Sequence, residues 1–355
     1  MARIGRVARA LSLTAGVALS GSLVVGGTMS PQAIAARSDA ATTHLVGAGS
    51  TFDYPFFNLA FAVYGKSQPV SVNYQPIGSG GGIQQFTNGT VDFGATDVPM
   101  NSAEVAKAQA SGGAVVQLPI ALGGVAIAYN LPAVTRVIKL DGPTLASIFM
   151  GKITNWDDPA IAKLNPATTF PNQSILPVHR SDASGTNYIT TDYLSSVSTD
   201  WASNIGKGKS VAWPTGVGGK GNPGVAAAIK QHVGAVGYVE LAYALDNNIP
   251  YIQLENRDGA YLFPTQNTVR AAAAQYPNVS YKNFSIVNAP GAMSYPITGY
   301  SWVLVRQHPK ANAGALVPLL RWLATTGQQY AGQLHYVPLP SNVQNQAISA
   351  LATVK

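Results

Sequence analysis

Three times along this chain an apolar, partly β-branched run stops at a turn of glycines and hydroxyls, and a helical spacing begins directly after it. HLVGAG leads through GSTF into the aromatic DYPFFNLAFAVYGK, VSVNYQPI through GSGGG into IQQFTNG, and SILPVHR through SDASGT into NYITTDYLSSV. This strand, turn, helix rhythm predicts an α/β fold with a mostly parallel sheet. A helix start leaves backbone N–H groups unpaired and partially positive, so it receives an anion readily. Serine, threonine and glycine are also ordinary capping residues there, and any one of the turns alone reads most simply as a cap. Three together, one of them holding Arg180, point to a shared oxyanion site.

Other segments fit the same rhythm. VDFGATD (91–97) predicts a short strand ending in a polar turn, and 115–130 predicts two strands. GPTLASIFMGK, PGVAAAIKQH, VPLLRWLATTG and NVQNQAISALATV carry helical spacing, while AVGYVEL and YPITGYSWVLVR read as strands.

With 46% hydrophobic and only 10% charged residues among 355, the chain has material for two globular lobes and does not read as disordered. It has no cysteine, which excludes disulfides, thiolate metal sites, a cysteine nucleophile and a lipid-bearing cysteine. Arg3, Arg6 and Arg9 precede the apolar LSLTAGVALSGSLVVGG, and Ala33-Ile34-Ala35 supplies a small-x-small pattern. A cleaved leader over 1–35 is therefore expected, followed by a linker over 36–43. No later stretch reads as membrane-spanning. Loss of the three leader arginines takes the formal charge from +7 to +4. No Lys/Arg stripe is interleaved with aromatics, so nucleic acid is not an expected partner.

Several catalytic and cofactor signatures fail on counting. Gly65-Lys66-Ser67 resembles the end of a phosphate-binding loop, but position 60 is Ala where Gly is required. Neither glycine cluster completes a dinucleotide fingerprint, since 83 is Ile and 52 is Phe. No serine lies in G-x-S-x-G, and the five histidines show no metal-ligand spacing. Neither a cofactor nor a metal nor a catalytic residue is expected. Asp157-Asp158 precedes Pro159 and reads as a turn or helix start rather than an acid-base pair. Asp97 ends the VDFGATD strand, and reads equally as a cap for the helix after it or as a ligand.

Taken in order, GAGSTF (47–52), QPIGSGGGIQQF (75–86), VDFGATDVPM (91–100), GKITNWDDPAIAKLNP (151–166), RSDASGT (180–186) and GKGNPGVAAAIKQHVGAVGYVELAYA (219–244) closely resemble the phosphate-binding proteins of bacterial phosphate ABC importers, the PstS family. The resemblance covers nearly the whole chain beyond the leader. It implies a two-lobed periplasmic-binding-protein fold of the hinged-clamp type (type II) with mixed or parallel sheets in each lobe, closing on one inorganic phosphate ion. It also implies delivery to membrane permease subunits, and a periplasmic or secreted location. Lobe 1 is expected over 44–120 and 296–355, with lobe 2 inserted over 121–295. Carried over by motif, the phosphate ligands are Thr51, Phe52, Ser79, Asp97, Arg180, Ser184, Gly185 and Thr186, with Asp182 holding Arg180 in place. Ala183 stands where the family commonly has glycine, and Thr96 where it commonly has serine.

The chemistry of such a site follows from the ion. Stripping water from a phosphate dianion costs on the order of tens of kcal/mol in an apolar interior, so aimed donors must replace the lost hydration. Arg180 offers planar paired donors, and amides with hydroxyls surround the rest. Asp97 repels an anion unless that anion donates a proton, which phosphate near neutral pH has and sulfate lacks. Two other readings stand beside this one: a secreted phosphoester hydrolase that holds phosphate as product, and an adhesion or scaffold protein built on the same fold.

Overall fold

The computed structural model describes residues 41–355. The expected leader and most of the expected linker lie outside the described residues. The strands are β1 (Thr43–Gly49), β2 (Val70–Gln75), β3 (Phe93–Thr96), β4 (Val115–Tyr129), β5 (Lys139–Leu140), β6 (Leu176–Arg180), β7 (Val217–Gly219), β8 (Ala235–Glu240), β9 (Gln253–Glu255), β10 (Tyr261–Leu262) and β11 (Thr298–Arg306). Eight of them pair in the order β2-β1-β3-β11-β4-β8-β6-β7, and β10-β9-β5 form a small separate sheet.

At either end of the eight-stranded array the strands run parallel, β1 with β2 and β3, and β6 with β7 and β8. Between them β11 and β4 run antiparallel to their neighbours. The result is a mixed sheet with two parallel wings, each covered by the helices that connect its strands. Rather than two sheets kept apart, the wings share β4.

The two strands expected over 115–130 are one strand of 15 residues. Its first part pairs with β11, from Val115↔Arg306 to Gly124↔Thr298, and its second with β8, from Val125↔Glu240 to Tyr129↔Val236. Gly123 and Gly124 do not interrupt it, because both are sites of close packing. A Cβ on Gly123 would come within 2.8 Å of the Phe52 ring, and one on Gly124 within 2.9 Å of Pro264 and Val269.

Aromatic residues of the helix Tyr54–Ser67 explain how the first wing holds together. Phe57 and Phe61 pack against each other at 5.0 Å and against Phe93 of β3 and Tyr74 of β2. Such aromatic pairs contribute about 0.5 to 1.5 kcal/mol each beyond the apolar area they bury. The packing ties this helix to β2 and β3, the two strands that flank β1, and so holds side by side the turns that follow these three strands. Those turns, with the one after β6, sit at the carboxyl ends of parallel strands, the usual place for a ligand in open α/β sheets.

Candidate oxyanion-binding site

The turn after β1 carries Ser50, Thr51, Phe52 and Asp53, all nearly or fully buried. Three phenols hold its backbone: Tyr74 donates to the Ser50 carbonyl at 2.8 Å, Tyr243 to that of Thr51 at 2.6 Å, and Tyr336 to that of Phe52. Three consecutive carbonyls gripped from three remote parts of the chain leave the turn little freedom. The Phe52 amide, expected to face the ion, donates to Ser50 Oγ at 2.9 Å in this arrangement.

The glycine-rich turn after β2 behaves as a contact surface. Its helix begins at Ser79, so three of its glycines lie inside the first helical turn. The Gly80 amide donates to the Ala183 carbonyl at 2.8 Å. A Cβ on Gly80 would meet Ala183 Cβ at 2.4 Å, and one on Gly78, at φ +90°, would meet Asp182 Oδ2 at 2.1 Å. Glycine is required here because the turn after β6 lies directly on it. Ser79 Oγ bridges the two wings, accepting from the amides of Gly185 at 3.0 Å and Asp97 at 3.3 Å.

Arg180 ends β6 and is buried, with only 4% of its surface exposed. Its Nε donates to Asp182 Oδ1 at 2.8 Å and its Nη2 to Oδ2 at 2.6 Å, a two-pronged pairing that fixes the guanidinium plane. Asp182 Oδ1 also accepts from the Gly221 amide at 3.0 Å. Burial works to raise the Asp182 carboxyl, but the Arg180 bonds and charge, then the amide, outweigh it and hold the group below its ordinary range. Arg180 Nη1 is buried without a hydrogen-bond partner.

Asp97 follows β3. It does not cap the next helix, which Asn101 and Glu104 start with a reciprocal capping pair. Instead Asp97 accepts from Ser50 Oγ, from Ser301 Oγ at 2.9 Å and from Thr186 Oγ1 at 3.3 Å. Burial raises its carboxyl, opposed by Ser50 and Ser301, by the charge of Arg180 and by Thr186. Gly185 lies against it so closely that a Cβ would meet Asp97 Cβ at 2.4 Å.

The structure thus brings together Thr51, Ser79, Asp97, Arg180, Gly185 and Thr186 from both wings. Ser184 is buried beside them and caps its helix by accepting from the Asn187 amide at 3.1 Å. His179 stands apart, stacked on Trp213 at 4.9 Å. Burial lowers its imidazole against the Arg180 carbonyl. Asp158 caps the helix Pro159–Leu164, as its turn reading implies.

Sequence reasoning missed Ser50, Asn222 and Ser301. Asn222 donates to Thr51 Oγ1 through its amide at 3.1 Å and its side chain at 2.9 Å, and to Thr186 Oγ1 at 3.3 Å. Its place in GKGNPG, a glycine-flanked amide at a helix start, was the available signal. Ser301 had none: only the β11–β3 pairing, one residue away at Trp302↔Thr96, brings it to Asp97.

Comparison with known proteins adds to this geometry. The family description "PBP superfamily domain" matches residues 35–326. The chain is similar to "Phosphate-binding protein PstS" of Xylella fastidiosa strain 9a5c, 43% identical over 305 residues, 84% of this chain and 82% of that one. It is 39% identical over 316 residues to the protein of the same name from Methanocaldococcus jannaschii, 82% of this chain and 81% of that one. In fold it is similar to a high affinity periplasmic phosphate-binding protein (PfluDING) bound with phosphate. That match has a TM-score of 0.66 and 20% identity, over 86% of this chain and 93% of that one. A human phosphate binding apolipoprotein matches with a TM-score of 0.67 over the same shares, also at 20% identity.

Proposed function

Because this chain belongs to the PBP superfamily and, within it, to the PstS family of phosphate-binding proteins, we propose that its buried cluster captures one inorganic phosphate ion. The observation that carries the proposal is Arg180: a guanidinium fixed by Asp182 on two nitrogens, with the third buried and unpartnered, and with its charge acting on the Asp97 carboxyl. A buried N–H without a partner costs about 1 to 3 kcal/mol, which an oxyanion oxygen would recover.

Thr51 and Ser79 accept two hydrogen bonds each from the protein, which leaves each hydroxyl hydrogen for the ion. Asp97 then accepts the proton that phosphate retains near neutral pH. Sulfate offers no such proton and meets only repulsion. Phe52, Ser184, Gly185 and Thr186 complete the proposed shell, and Asp182 orients the guanidinium.

In this reading residues 44–120 with 296–355, and residues 121–295, are the two lobes, joined through β4 and β11. Ser79, Gly80 and Thr51 on one side and Ala183, Gly185 and Asn222 on the other make the contacts of the shut clamp. The chain acts outside the cytoplasm as a receptor that hands phosphate to the membrane subunits of an ABC importer. Among the described residues no helix is long and apolar enough to cross a membrane. The hydrolase reading asks for turnover of a phosphate monoester, which a colorimetric assay would reveal.

Equilibrium dialysis against radiolabelled phosphate tests the proposal. Arg180→Ala is expected to weaken uptake roughly hundredfold, about 3 kcal/mol, while the fold is retained. Uptake near the wild-type level would remove Arg180 from the site.

A further inference from the structure

Beside Asp97 stands a second buried carboxyl that the reading above leaves without a role. Asp53 has none of its surface exposed. Its Oδ2 lies 2.6 Å from Ser301 Oγ, and that same hydroxyl oxygen lies 2.9 Å from Asp97 Oδ1 and 3.2 Å from the Thr96 carbonyl. A serine hydroxyl carries one hydrogen. It cannot donate to two carboxylates at once, so with both acids ionised one of them would face an oxygen lone pair at hydrogen-bonding distance. The contact is satisfied when one acid keeps its proton.

The surroundings decide which. Asp97 also receives Ser50 and Thr186 and feels the charge of Arg180, all of which favour its ionised form. The Asp53 carboxyl receives nothing beyond Ser301, and its Oδ1 is buried without a partner. It occupies the N-cap position of the helix Tyr54–Ser67, where an ionised aspartate is ordinarily drawn onto the first amides, yet its side chain makes no capping bond. Burial, then the charge of Asp97, push the Asp53 carboxyl well above the usual range against the pull of Ser301, and Glu240 adds in the same sense.

We propose that Asp53 is a positioning residue for Asp97: carrying a proton, it donates to Ser301 Oγ and so turns the single Ser301 hydrogen onto Asp97, which meets the ion as a fixed, ionised acceptor. The proposal rests on the reading of Asp97 as the acceptor of the phosphate proton. It gives the second carboxyl the opposite protonation state from the first, with one hydroxyl between them as relay.

The groups that face Asp53 are Asp97 from the turn after β3, Glu240 at the end of β8, and the phenols of Tyr74, Tyr243 and Tyr336. Burial raises all three phenols. Once ionised, Asp53 competes for the Ser301 hydrogen and sets a second negative charge beside the site. Phosphate affinity should fall in the alkaline range for that reason, and a residue that stays neutral at 53 should blunt the fall.

Two measurements test this. Infrared difference spectra of the folded chain without phosphate, near neutral pH, are expected to lose one protonated-carboxyl band on Asp53→Asn. An unchanged band overturns the proposal. Phosphate titrations are expected to place Asp53→Asn within about threefold of wild type near neutral pH, because the amide still donates to Ser301, and to show roughly tenfold less alkaline loss. Equal alkaline losses, or more than about tenfold weakening near neutrality, overturn it as well. Ser301→Ala supplies a second arm that keeps both carboxyls. It is expected to keep the acid band and to weaken phosphate about tenfold, and unchanged affinity would contradict the relay. If the wild type takes up no phosphate while Asp53→Asn still removes the band, the phosphate reading fails and the protonated state of Asp53 stands.

Discussion

In the proposed site Asp97 sets a carboxyl against the bound anion, and the residues around it bear on how both would be tolerated. Burial raises the carboxyl, and three hydroxyls together with the Arg180 charge oppose that rise and favour its ionised form. The repulsion that remains is selective, because it is relieved only by an ion that brings its own hydrogen. Asp97→Asn removes the charge and adds a donor. It is expected to raise sulfate affinity at least about tenfold, about 1.4 kcal/mol, read by competitive calorimetry against phosphate. Unchanged rejection of sulfate would take selectivity away from Asp97. At this scale the sequence was informative where chemistry is contiguous. Arg180, Asp182, Gly185 and Thr186 lie in one short turn and could be read together. Ser301 and Asn222 are ordinary polar residues far from that turn, and only long-range pairing gives them meaning. The Phe52 amide shows the opposite limit: its place at a helix start was legible, but its donation to Ser50 was not.

Among the elements, the turns rather than the helices carry the precision of the site. They touch so closely that an added Cβ is excluded, as at Gly78, Gly80 and Gly185. Gly185→Ala is expected to fold normally but to hold the two turns apart, lowering phosphate affinity roughly hundredfold, about 2.7 kcal/mol, in equilibrium dialysis. Affinity within a few-fold of wild type would mean that these turns do not need to meet. The alternation of strand and helix was readable because apolar spacing reports which face of an element is buried. The continuity of β4 was not, since Gly123 and Gly124 look like a break in sequence and become close-packing sites only when Phe52 and Pro264 lie over them. The phenols that hold the first turn were hidden for the same reason: Tyr74, Tyr243 and Tyr336 come from separate parts of the chain and converge only in the fold.

Across the described residues, the two wings meet at β4 and bury several acids, Asp53, Asp97 and Glu240 among them. Glu240 has none of its surface exposed and is pushed well above its ordinary range, chiefly by burial. A carboxyl raised on folding holds more protons in the folded chain than in the unfolded one. Its contribution is complete below the unfolded value and is lost as pH climbs toward the folded value. Glu240→Gln should therefore gain stability relative to wild type as pH rises above about 4.3, by up to about 1.4 kcal/mol per pH unit until the folded group ionises. Thermal melts of the two proteins across that range measure it, and parallel melting curves would mean that Glu240 is ionised in the fold. The two-lobed architecture was legible through family resemblance rather than through periodicity, because the wings interleave in sequence: β11 returns to β3 and β4 after the entire second wing has been laid down.

The most direct test of the central claim is a calorimetric titration of the wild-type chain with phosphate and with sulfate near neutral pH. One phosphate per chain at micromolar affinity or tighter, with sulfate at least about a hundredfold weaker, about 2.7 kcal/mol, is the result predicted by a buried guanidinium paired with a proton-accepting aspartate. Equal binding of the two ions, or binding of neither, would contradict it.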